Sequence, residues 1–382
     1  MSIDRRRFLE TTTAAAAGLS AGALAPSAAA KTPPPPAAAP EPPAQGPRPS
    51  TLDGAAWRPP ANPRYPSQMK IGLFTWPFND KPLSWVLQYA QSIGLQMLEV
   101  GTGNDPGDAH CPMDALLADA GRRRAYLQAF AAHGLGISSF SCHGNPLDPR
   151  PAVARRTNEV YLKTLRLAEM MDVPVVNYFS GCPGDDKGGM RPNWVTSLER
   201  SSYVEMLKWQ WEERVIPYWR IAAAAARRHK IHVALEFDPG YAVYNFSSLQ
   251  RLRDAVGGEY LGCNLDFGNI FGMGVDGPAL VRKLGETGVL FNYHAKDAYL
   301  DPHNIQINGL IDVTPYHEVL NRSWAYAVPG YGHDDLYWRR ILATMKNVGY
   351  DRVLSIEHED RTMTPEIGVR KAAEFLRPLL LE

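Results

Sequence analysis

From residue 69 to the C-terminus, short apolar runs typical of β-strands alternate with longer stretches typical of α-helices. The eight predicted strands lie at 70–76, 95–101, 136–143, 173–180, 231–237, 261–267, 289–296 and 352–359. Repeated strand–helix units in one chain favour a closed parallel sheet, and 382 residues are enough for one full barrel domain. The pattern therefore predicts an α/β fold, a (β/α)8 TIM barrel.

The helical stretches are clearest where a start signal accompanies them. Asp276-Gly277-Pro278 and Thr364-Pro365-Glu366 have the composition of helix N-termini. The clearest predicted helices lie at 121–133, 154–171, 200–229, 276–288, 335–348 and 366–380. The active site of such a barrel lies at the C-terminal ends of its strands, so polar residues at those ends are candidates for function.

Polar and apolar side chains alternate along residues 290–297. With the strand period of two, the two faces are Leu290, Asn292, His294 and Lys296 on one side and Phe291, Tyr293 and Ala295 on the other. An imidazole and an ammonium that share a face do not serve to fill an apolar core. This face is therefore expected to carry a functional group.

Three other strands show the same alternation and also end in a charged residue. Glu236, Asp266 and Glu357 each lie opposite the aliphatic set of their own strand, and Glu359 follows two residues after Glu357. Glu, Asp, His and Glu at successive strand ends form a set of ligands suited to a divalent metal. Three carboxylates and one imidazole favour a hard-to-borderline ion, and no dense Cys/His cluster suggests structural zinc.

The unit after the seventh predicted strand carries an extra loop, roughly 297–334. Loops of this length inside a compact domain are usually functional. The loop contains His303, Arg322, Trp324 and Tyr326, a mixture suited to stacking against a sugar and hydrogen-bonding its hydroxyl groups.

The N-terminus is expected to be a targeting segment. Arg5 and Arg6, followed by a weakly apolar Ala/Gly/Thr run, resemble a twin-arginine signal peptide at 1–30, which implies export to the periplasm. An unprocessed tail is the alternative. This run is too weakly apolar to span a membrane, so no stable membrane insertion of the mature chain is expected. The Pro/Ala-rich segment 31–68 is predicted to be a linker before a catalytic domain at 69–382.

Net charge and cysteine content limit which partners and which disulfides are expected. Lys plus Arg and Asp plus Glu both number 40, so the zero net charge gives no reason to expect nucleic acid as a partner. A small carbohydrate is the expected partner, and homo-oligomerisation stays open. Cys111, Cys142 and Cys182 lie near predicted strand ends and Cys263 is expected in the core. A disulfide is compatible with an oxidising compartment, and its pairing stays open.

Motifs around the four predicted ligands carry a family resemblance. They are Ala-Leu-Glu-Phe around Glu236, Asn-Leu-Asp-Phe-Gly around Asp266, Tyr-His-Ala-Lys-Asp around His294 and Ser-Ile-Glu-His-Glu-Asp around Glu357, with a Pro-Gly-x-Gly turn before the last. In this order they resemble the xylose-isomerase-like TIM-barrel superfamily of sugar (phosphate) isomerases and epimerases. The resemblance covers residues 69–382.

The resemblance implies that Glu236, Asp266, His294 and Glu357 bind one divalent metal ion, with Mn²⁺ the first candidate and Co²⁺, Mg²⁺ or Zn²⁺ the others. In related ketose epimerases the two glutamates also exchange the substrate proton. One departure concerns Asn269, because many relatives carry His three residues after the aspartate. Asn keeps hydrogen bonding but cannot titrate, which weakens any mechanism that relies on that His.

The residue types suggest the chemistry. A metal chelated by a sugar carbonyl and its neighbouring hydroxyl stabilises an enediolate, and a buried carboxylate can take the carbon-bound proton. Glu236 and Glu357 are the candidate bases, and Lys296 is the candidate that stabilises the oxyanion. The candidate substrate-binding residues are His143, Asn269, Trp76, Tyr178, Arg322 and His303.

Structural readings stand beside these assignments. The inward charged residues can form a salt-bridged layer, for example Lys296 with Glu359. His143 can be a hydrogen-bonded structural residue, and Trp76 and Tyr178 can equally be packing residues. We expect His232 and His358 to have structural roles.

Three functions follow, in order of preference. The first is an exported, metal-dependent isomerase or epimerase of an unphosphorylated sugar or sugar derivative, since no Gly-rich phosphate cradle stands out. The second is a lyase that uses the same proton abstraction on a 3-keto-glycoside. The third is a non-catalytic carbohydrate-binding or partner subunit. Apurinic-site endonucleases share the fold, but the zero net charge and the missing additional metal-binding His residues count against them.

Overall fold

The structure, a computed structural model, describes residues 69–380. The predicted signal peptide at 1–30 and the predicted linker at 31–68 lie outside the described residues. Within residues 69–380, no helix combines the length and the apolar character needed to cross a lipid bilayer.

Eight parallel strands close into a barrel, as the sequence predicts. In chain order they are β1 (Lys70–Phe74), β2 (Met97–Gly101), β3 (Gly136–Ser141), β4 (Val175–Tyr178), β5 (His232–Glu236), β6 (Leu261–Asp266), β7 (Leu290–Ala295) and β10 (Val353–Ile356), while β8 (Asp297–Leu300) and β9 (Trp324–Ala327) form a separate hairpin. Around the barrel the order is β1, β10, β7, β6, β5, β4, β3, β2. The predicted (β/α)8 TIM barrel is confirmed.

Helices follow the strands and cover the outside of the barrel. They are α1 (Leu83–Ser92), α2 (Met113–Ala118), α3 (Ala120–Ala132), α4 (Pro151–Met171), α5 (Ser201–Trp209), α6 (Ile216–His229), α7 (Phe246–Val256), α8 (Phe267–Phe271), α9 (Gly277–Glu286), α10 (Pro302–Asn308), α11 (Asp335–Asn347) and α12 (Pro365–Leu376). The six clearest sequence-predicted helices are all present. The helices not among them are α1, α2, α7, α8 and α10, although α7 begins with an Asn245–Ser248 capping box.

The predicted long helix at 200–229 contains a π-helical segment. Gln210–Val215 adopts π geometry between α5 and α6. Pro217 stands in the first turn of α6, where its missing N–H and its ring interrupt the regular hydrogen-bond ladder. The helix accommodates this proline by widening locally just before it.

A β-bulge alters the predicted alternation of β7. Cys263 pairs with Leu290, but Asn264 pairs with Asn292, so Phe291 is an extra residue in β7. Leu290 packs in the main core, whereas Phe291 packs with Val175 and Ala234. The prediction that Leu290 shares a face with Asn292, and Phe291 with Tyr293, is therefore wrong.

The space at the bulge comes from a glycine. A Cβ on Gly262 would collide with the Phe291 ring and lie 2.5 Å from the Val289 carbonyl oxygen. Phe291 also meets the His232 ring edge-on, with ring centroids 4.8 Å apart. An apolar layer thus closes one end of the barrel interior and leaves the other end for polar groups.

The predicted functional loop folds as an ordered insertion built on the β8–β9 hairpin. Its anchor is Asp297, whose Oδ2 accepts backbone N–H groups from Gly330, Gly332 and His333 and the indole N–H of Trp338. The Asp297 carboxylate therefore holds the Pro-Gly-x-Gly turn at the start of β8. A Cβ on Gly332 would collide with the Ala298 carbonyl oxygen, which explains the glycine at this close approach.

All four cysteines are buried free thiols. Cys263 lies in the core, as expected, and Cys111, Cys142 and Cys182 are not paired with one another. The fold therefore forms no disulfide.

Candidate functional site

Four adjacent barrel strands bring the predicted metal ligands together. Glu236 ends β5, Asp266 ends β6, His294 lies near the end of β7 and Glu357 directly follows β10. One ligand atom from each side chain lies within 4.8 Å of the corresponding atoms of the others. All four residues are buried, with Glu357 the most exposed at 8%. We refer to Glu236, Asp266, His294 and Glu357 as the acidic cluster.

His294 connects the acidic cluster to a deeper carboxylate. Its Nδ1 lies 3.0 Å from Glu357 Oε2 and 3.3 Å from Glu236 Oε2, while its Nε2 lies 3.0 Å from Glu99 Oε1. Burial by itself lowers the pKa of His294, but Glu99, Glu357 and Glu236 outweigh burial and hold this pKa well above its usual value. With Nε2 facing Glu99, Nδ1 is the ring atom available to a metal.

Glu99 on β2 is a site residue that the sequence analysis missed. Its carboxylate accepts hydrogen bonds from Ser141, Asn177, Asn292, His294 and Ser355. Burial opposes its charge, yet His294 and Ser141 lower the pKa of Glu99 to about 2. Period-two alternation along Met97–Gly101, which separates Glu99 from Leu98 and Val100, was the signal that could have found it.

Lys296 lies among the acidic groups. Its Nζ is 2.6 Å from Asp266 Oδ2, 3.0 Å from Glu357 Oε2 and 2.7 Å from Glu359 Oε2. Burial lowers the pKa of Lys296, but these carboxylates outweigh it and raise the pKa well above the usual value. A Cβ on Gly268 would lie 2.8 Å from Lys296 Cε, so that glycine leaves room for the lysine side chain.

The residues of the acidic cluster fit a divalent metal ion. Asp266 Oδ2 is buried and accepts no hydrogen bond, although Lys296 Nζ lies nearby. Carboxylate and imidazole atoms in this combination suit hard-to-borderline divalent ions. The buried carboxylates also outnumber the two cations His294 and Lys296, an imbalance that a bound cation would reduce. The cluster could therefore hold a metal ion.

Two of the predicted substrate-binding residues stand at the edge of the acidic cluster. The Trp76 indole Nε1 donates a hydrogen bond to Glu357 Oε1 at 3.1 Å. His143 Nε2 lies 2.9 Å from Glu236 Oε2 but has no partner in hydrogen-bond geometry. Both side chains can therefore reach a molecule bound at the cluster, and their role in binding stays a prediction.

Tyr178, a predicted substrate-binding residue, does not lie at the acidic cluster. Tyr178 is fully buried on the outer side of β4, where it stacks on Tyr161, so the prediction that it walls the pocket is wrong. β4 ends at Tyr178, and the alternation that turns Asn177 towards Glu99 turns Tyr178 towards the helices.

Arg322 and His303 belong to the insertion and are not brought to the acidic cluster. The Arg322 guanidinium is buried against the rings of Tyr316 and Trp324 and donates to the Trp324 carbonyl oxygen. His303 is exposed on α10. The packing within the insertion determines the position of each residue, and strand periodicity does not predict that packing.

The expected structural residues have structural surroundings. His232 lies in the apolar layer beside Phe291. His358 packs on Gly368 and its Nε2 lies 3.3 Å from the Met363 carbonyl oxygen. The Lys296–Glu359 contact considered as a structural alternative is present. It belongs to the same cluster as the predicted ligands, so it does not separate a structural role from a functional one.

Comparisons with known proteins identify the family of the chain. The family profile described as "Xylose isomerase-like TIM barrel" matches residues 87–379. The chain belongs to the xylose isomerase-like TIM barrel family. A similar protein, "Uncharacterized protein YfiH" of Bacillus subtilis (strain 168), is 32% identical over 312 residues, which cover 81% of this chain and 98% of the relative. The predicted family resemblance is confirmed.

Solved structures show the same fold. "1.8 A Crystal structure of IOLI protein with a binding zinc atom" is similar at a TM-score of 0.56 and 15% identity, covering 81% of this chain and 98% of that chain. "Structure of L-ribulose 3-epimerase" is similar at a TM-score of 0.53 and 14% identity, covering 81% and 94% of the two chains. At these identities the likeness establishes the shared fold.

Asn269, a predicted substrate-binding residue, stands three residues after Asp266. Its Nδ2 donates a hydrogen bond to Glu236 Oε1 at 3.1 Å, and its Oδ1 accepts one from the Tyr326 hydroxyl at 2.7 Å. Asn269 therefore orients Glu236 and links it to the β8–β9 insertion.

Proposed function

We propose that this protein is a divalent-metal-dependent isomerase or epimerase that acts on an unphosphorylated sugar or sugar derivative. The observation that carries the proposal is the convergence of Glu236, Asp266, His294 and Glu357 at the C-terminal ends of four adjacent strands. Membership of the xylose isomerase-like family supports it. The zinc atom named in the IOLI structure supports metal dependence. The epimerase activity named for the L-ribulose 3-epimerase structure supports the reaction class.

The positions of the two glutamates in the barrel support a mechanism in which they act on opposite sides of one substrate. β5 and β10 are separated around the barrel by β6 and β7, so Glu236 and Glu357 approach the cluster from different directions. Glu236 is oriented by Asn264 and Asn269, and Glu357 is oriented by Trp76. Each carboxylate can take a proton from a carbon held between them, or return one to it.

Charge stabilisation needs cations next to the sugar oxygens. A bound divalent metal supplies Lewis-acid stabilisation of the negative charge that develops on those oxygens. Lys296 places a buried ammonium beside Asp266 and Glu357, where its positive charge can stabilise the same oxygens. The burial of the cluster excludes water and strengthens these interactions.

Carbon-bound hydrogen exchange tests the proposal. Protein reconstituted with Mn²⁺ is incubated with a panel of ketoses and keto-sugars in D₂O, and deuterium is sought by NMR at the carbon beside the carbonyl. Glu236→Gln and Glu357→Gln each keep an oxygen ligand but remove the base, so we expect turnover to fall on the order of 10²-fold or more. The exposed Glu205→Gln serves as the matched control and should keep full activity.

The other outcomes identify the competing functions. Turnover that survives both glutamine substitutions would refute proton transfer by these residues. Deuterium exchange followed by loss of a substituent would indicate a lyase, which uses the same proton abstraction. Tight sugar binding without exchange or reaction across the panel would indicate a non-catalytic carbohydrate-binding subunit.

We also propose that the protein acts in the periplasm. The support is the Arg5-Arg6 signature with the weakly apolar run after it. An unphosphorylated substrate suits this location, because phosphorylated sugars are chiefly cytoplasmic.

A further inference from the structure

An open cleft of about 220 Å³ lies between the β8–β9 insertion and the segment that follows β10. We call it the tyrosine cleft. The residues that line it include Tyr299, Tyr316, Tyr326, Tyr331, Glu359 and Arg361. The barrel strands themselves do not form it. It is therefore a feature of this chain's insertion and of the loop opposite.

The tyrosine cleft adjoins the acidic cluster through shared residues. The Tyr326 ring lies 4.4 Å from Lys296 Nζ, and its hydroxyl donates to Asn269, which in turn donates to Glu236. On the other wall, Glu359 accepts a hydrogen bond from the same Lys296 ammonium at 2.7 Å. Lys296 therefore lies between the acidic cluster and the cleft, and a group that extends from the cluster past this lysine would enter the cleft.

The cleft walls have the composition of a small-molecule site. Tyr299, Tyr316 and Tyr331 are 47%, 45% and 51% exposed, so large aromatic surfaces face solvent within a concave region. Each combines an apolar ring face with a polar hydroxyl. Glu359 and Arg361 add a hydrogen-bond acceptor and donors. Aromatic faces with a few polar groups are typical of ligand pockets.

We propose that the tyrosine cleft binds a second ring attached to the reacting sugar, so that the substrate is a glycoside-like molecule and not a free monosaccharide. This inference rests on the proposed function of the acidic cluster. A keto-sugar whose carbonyl is not at the anomeric carbon keeps its ring when that carbonyl and the adjacent hydroxyl are held at the cluster. The substituent on its anomeric carbon can then lie in the cleft. The ring faces of the tyrosines and their hydroxyl groups fit either a phenolic aglycone or a second sugar ring.

Ligand binding tests this inference. Isothermal titration calorimetry compares D-glucose, D-galactose, D-xylose and D-mannose with their 4-nitrophenyl glycosides and with disaccharides that carry each of them, on chelator-treated and on Mn²⁺-loaded protein. We expect at least one ring-bearing derivative to bind roughly tenfold or more tightly than its parent sugar. A preference for nitrophenyl glycosides indicates a phenolic aglycone, and a preference for disaccharides indicates a second sugar.

Substitutions in the cleft locate the effect. Tyr299→Ala and Tyr331→Ala should each weaken the ring-bearing ligand roughly three- to tenfold, the size expected of one aromatic contact, with little effect on the parent sugar. Tyr299→Phe should keep most of the affinity because the ring remains. Tyr203→Ala removes a tyrosine that is 40% exposed on α5, outside the cleft, and should change nothing.

Two results would overturn the inference: no ring-bearing derivative binds better than its parent, or the advantage persists undiminished in both alanine variants. Its failure is separable from that of the proposed function, because deuterium exchange measures the acidic cluster and the metal-free titrations measure the cleft. A ring preference without exchange leaves the cleft assignment in place and removes the isomerase.

Discussion

Replacing Glu99 by Gln tests whether a carboxylate below the acidic cluster holds His294 in place. Glu99 Oε1 accepts from Ser141 and Asn177, Oε2 accepts from Asn292 and Ser355, and His294 Nε2 lies within 3.1 Å of both oxygens. Glutamine keeps the shape but places an amide N–H₂ at one of these two positions. In either orientation that amide faces the side-chain amide of Asn177 or Asn292, so at least one buried donor loses its acceptor.

The magnitude follows from these contacts. An orphaned buried donor costs about 1–3 kcal/mol, and breaking a buried ion pair costs about 3–5 kcal/mol in all. The lowering of the Glu99 pKa from 4.5 to about 2 corresponds to roughly 3 kcal/mol of stabilisation of the charged carboxylate. This value agrees with the cost of breaking a buried ion pair. A metal-ligating histidine that loses its supporting carboxylate typically loses 10- to 100-fold in metal affinity, about 1.4–2.7 kcal/mol.

The assay therefore has two readouts. Urea unfolding of metal-free protein should show a loss of about 3–5 kcal/mol for Glu99→Gln, and titration with Mn²⁺ at pH 7 should show binding about 10- to 100-fold weaker. Ser355→Ala removes one donor but leaves the Glu99–His294 contact, so it should cost about 1 kcal/mol with metal affinity nearly unchanged. A folded Glu99→Gln protein that binds Mn²⁺ as tightly as the wild type would refute the positioning role.

Three further predictions follow from the structure. Purified protein should carry about one divalent ion per chain, and His294→Ala should weaken Mn²⁺ binding at least several-fold; metal analysis of carefully reconstituted protein that finds no ion would contradict this. Burial, with the Arg352 charge, lowers the pKa of His232 from 6.5 to about 4, so between these values only the unfolded chain takes up a proton and stability falls as pH falls. His232→Gln should reduce that acid-dependent loss by up to about 3 kcal/mol, measured as unfolding free energy at pH 7 and pH 4, and an unchanged difference would contradict the assignment. Replacing Arg5 and Arg6 by Lys should retain the precursor in the cytoplasm, as judged by cell fractionation, whereas unchanged export would remove the twin-arginine assignment.

Strand periodicity was sufficient to predict the barrel and most of the acidic cluster. Which face of a strand a side chain occupies is a local property, so Glu236, Asp266 and His294 could be assigned to the inner face from their immediate neighbours alone. Parallel strands have their C-terminal ends on one side of the barrel, so the same reasoning brought these residues together. The same alternation along β2 also predicts that Glu99 lies on the inner face, although Glu99 was not among the predicted site residues.

Local periodicity failed where pairing between strands alters it. The extra residue in β7 puts Phe291 inside the barrel, and only the register with β6 reveals this. Local periodicity also does not predict that hydrogen-bond donors from four other strands converge on Glu99. Their convergence depends on the register between strands in the closed barrel. At the end of β4 the assignment of Tyr178 to the pocket was wrong for a related reason, since the strand ends on an outward residue.

The β8–β9 insertion was decided by tertiary structure alone. Its composition suggested a ligand-binding loop, but not where its residues lie: Arg322 is buried inside it, His303 is exposed on α10, and Tyr326 contacts Asn269. The conformation depends on contacts between residues far apart in the chain, above all Asp297 with the turn that begins at Pro329. Such contacts have no period in the sequence, because they are set by packing against the barrel and not by the backbone geometry of a single element.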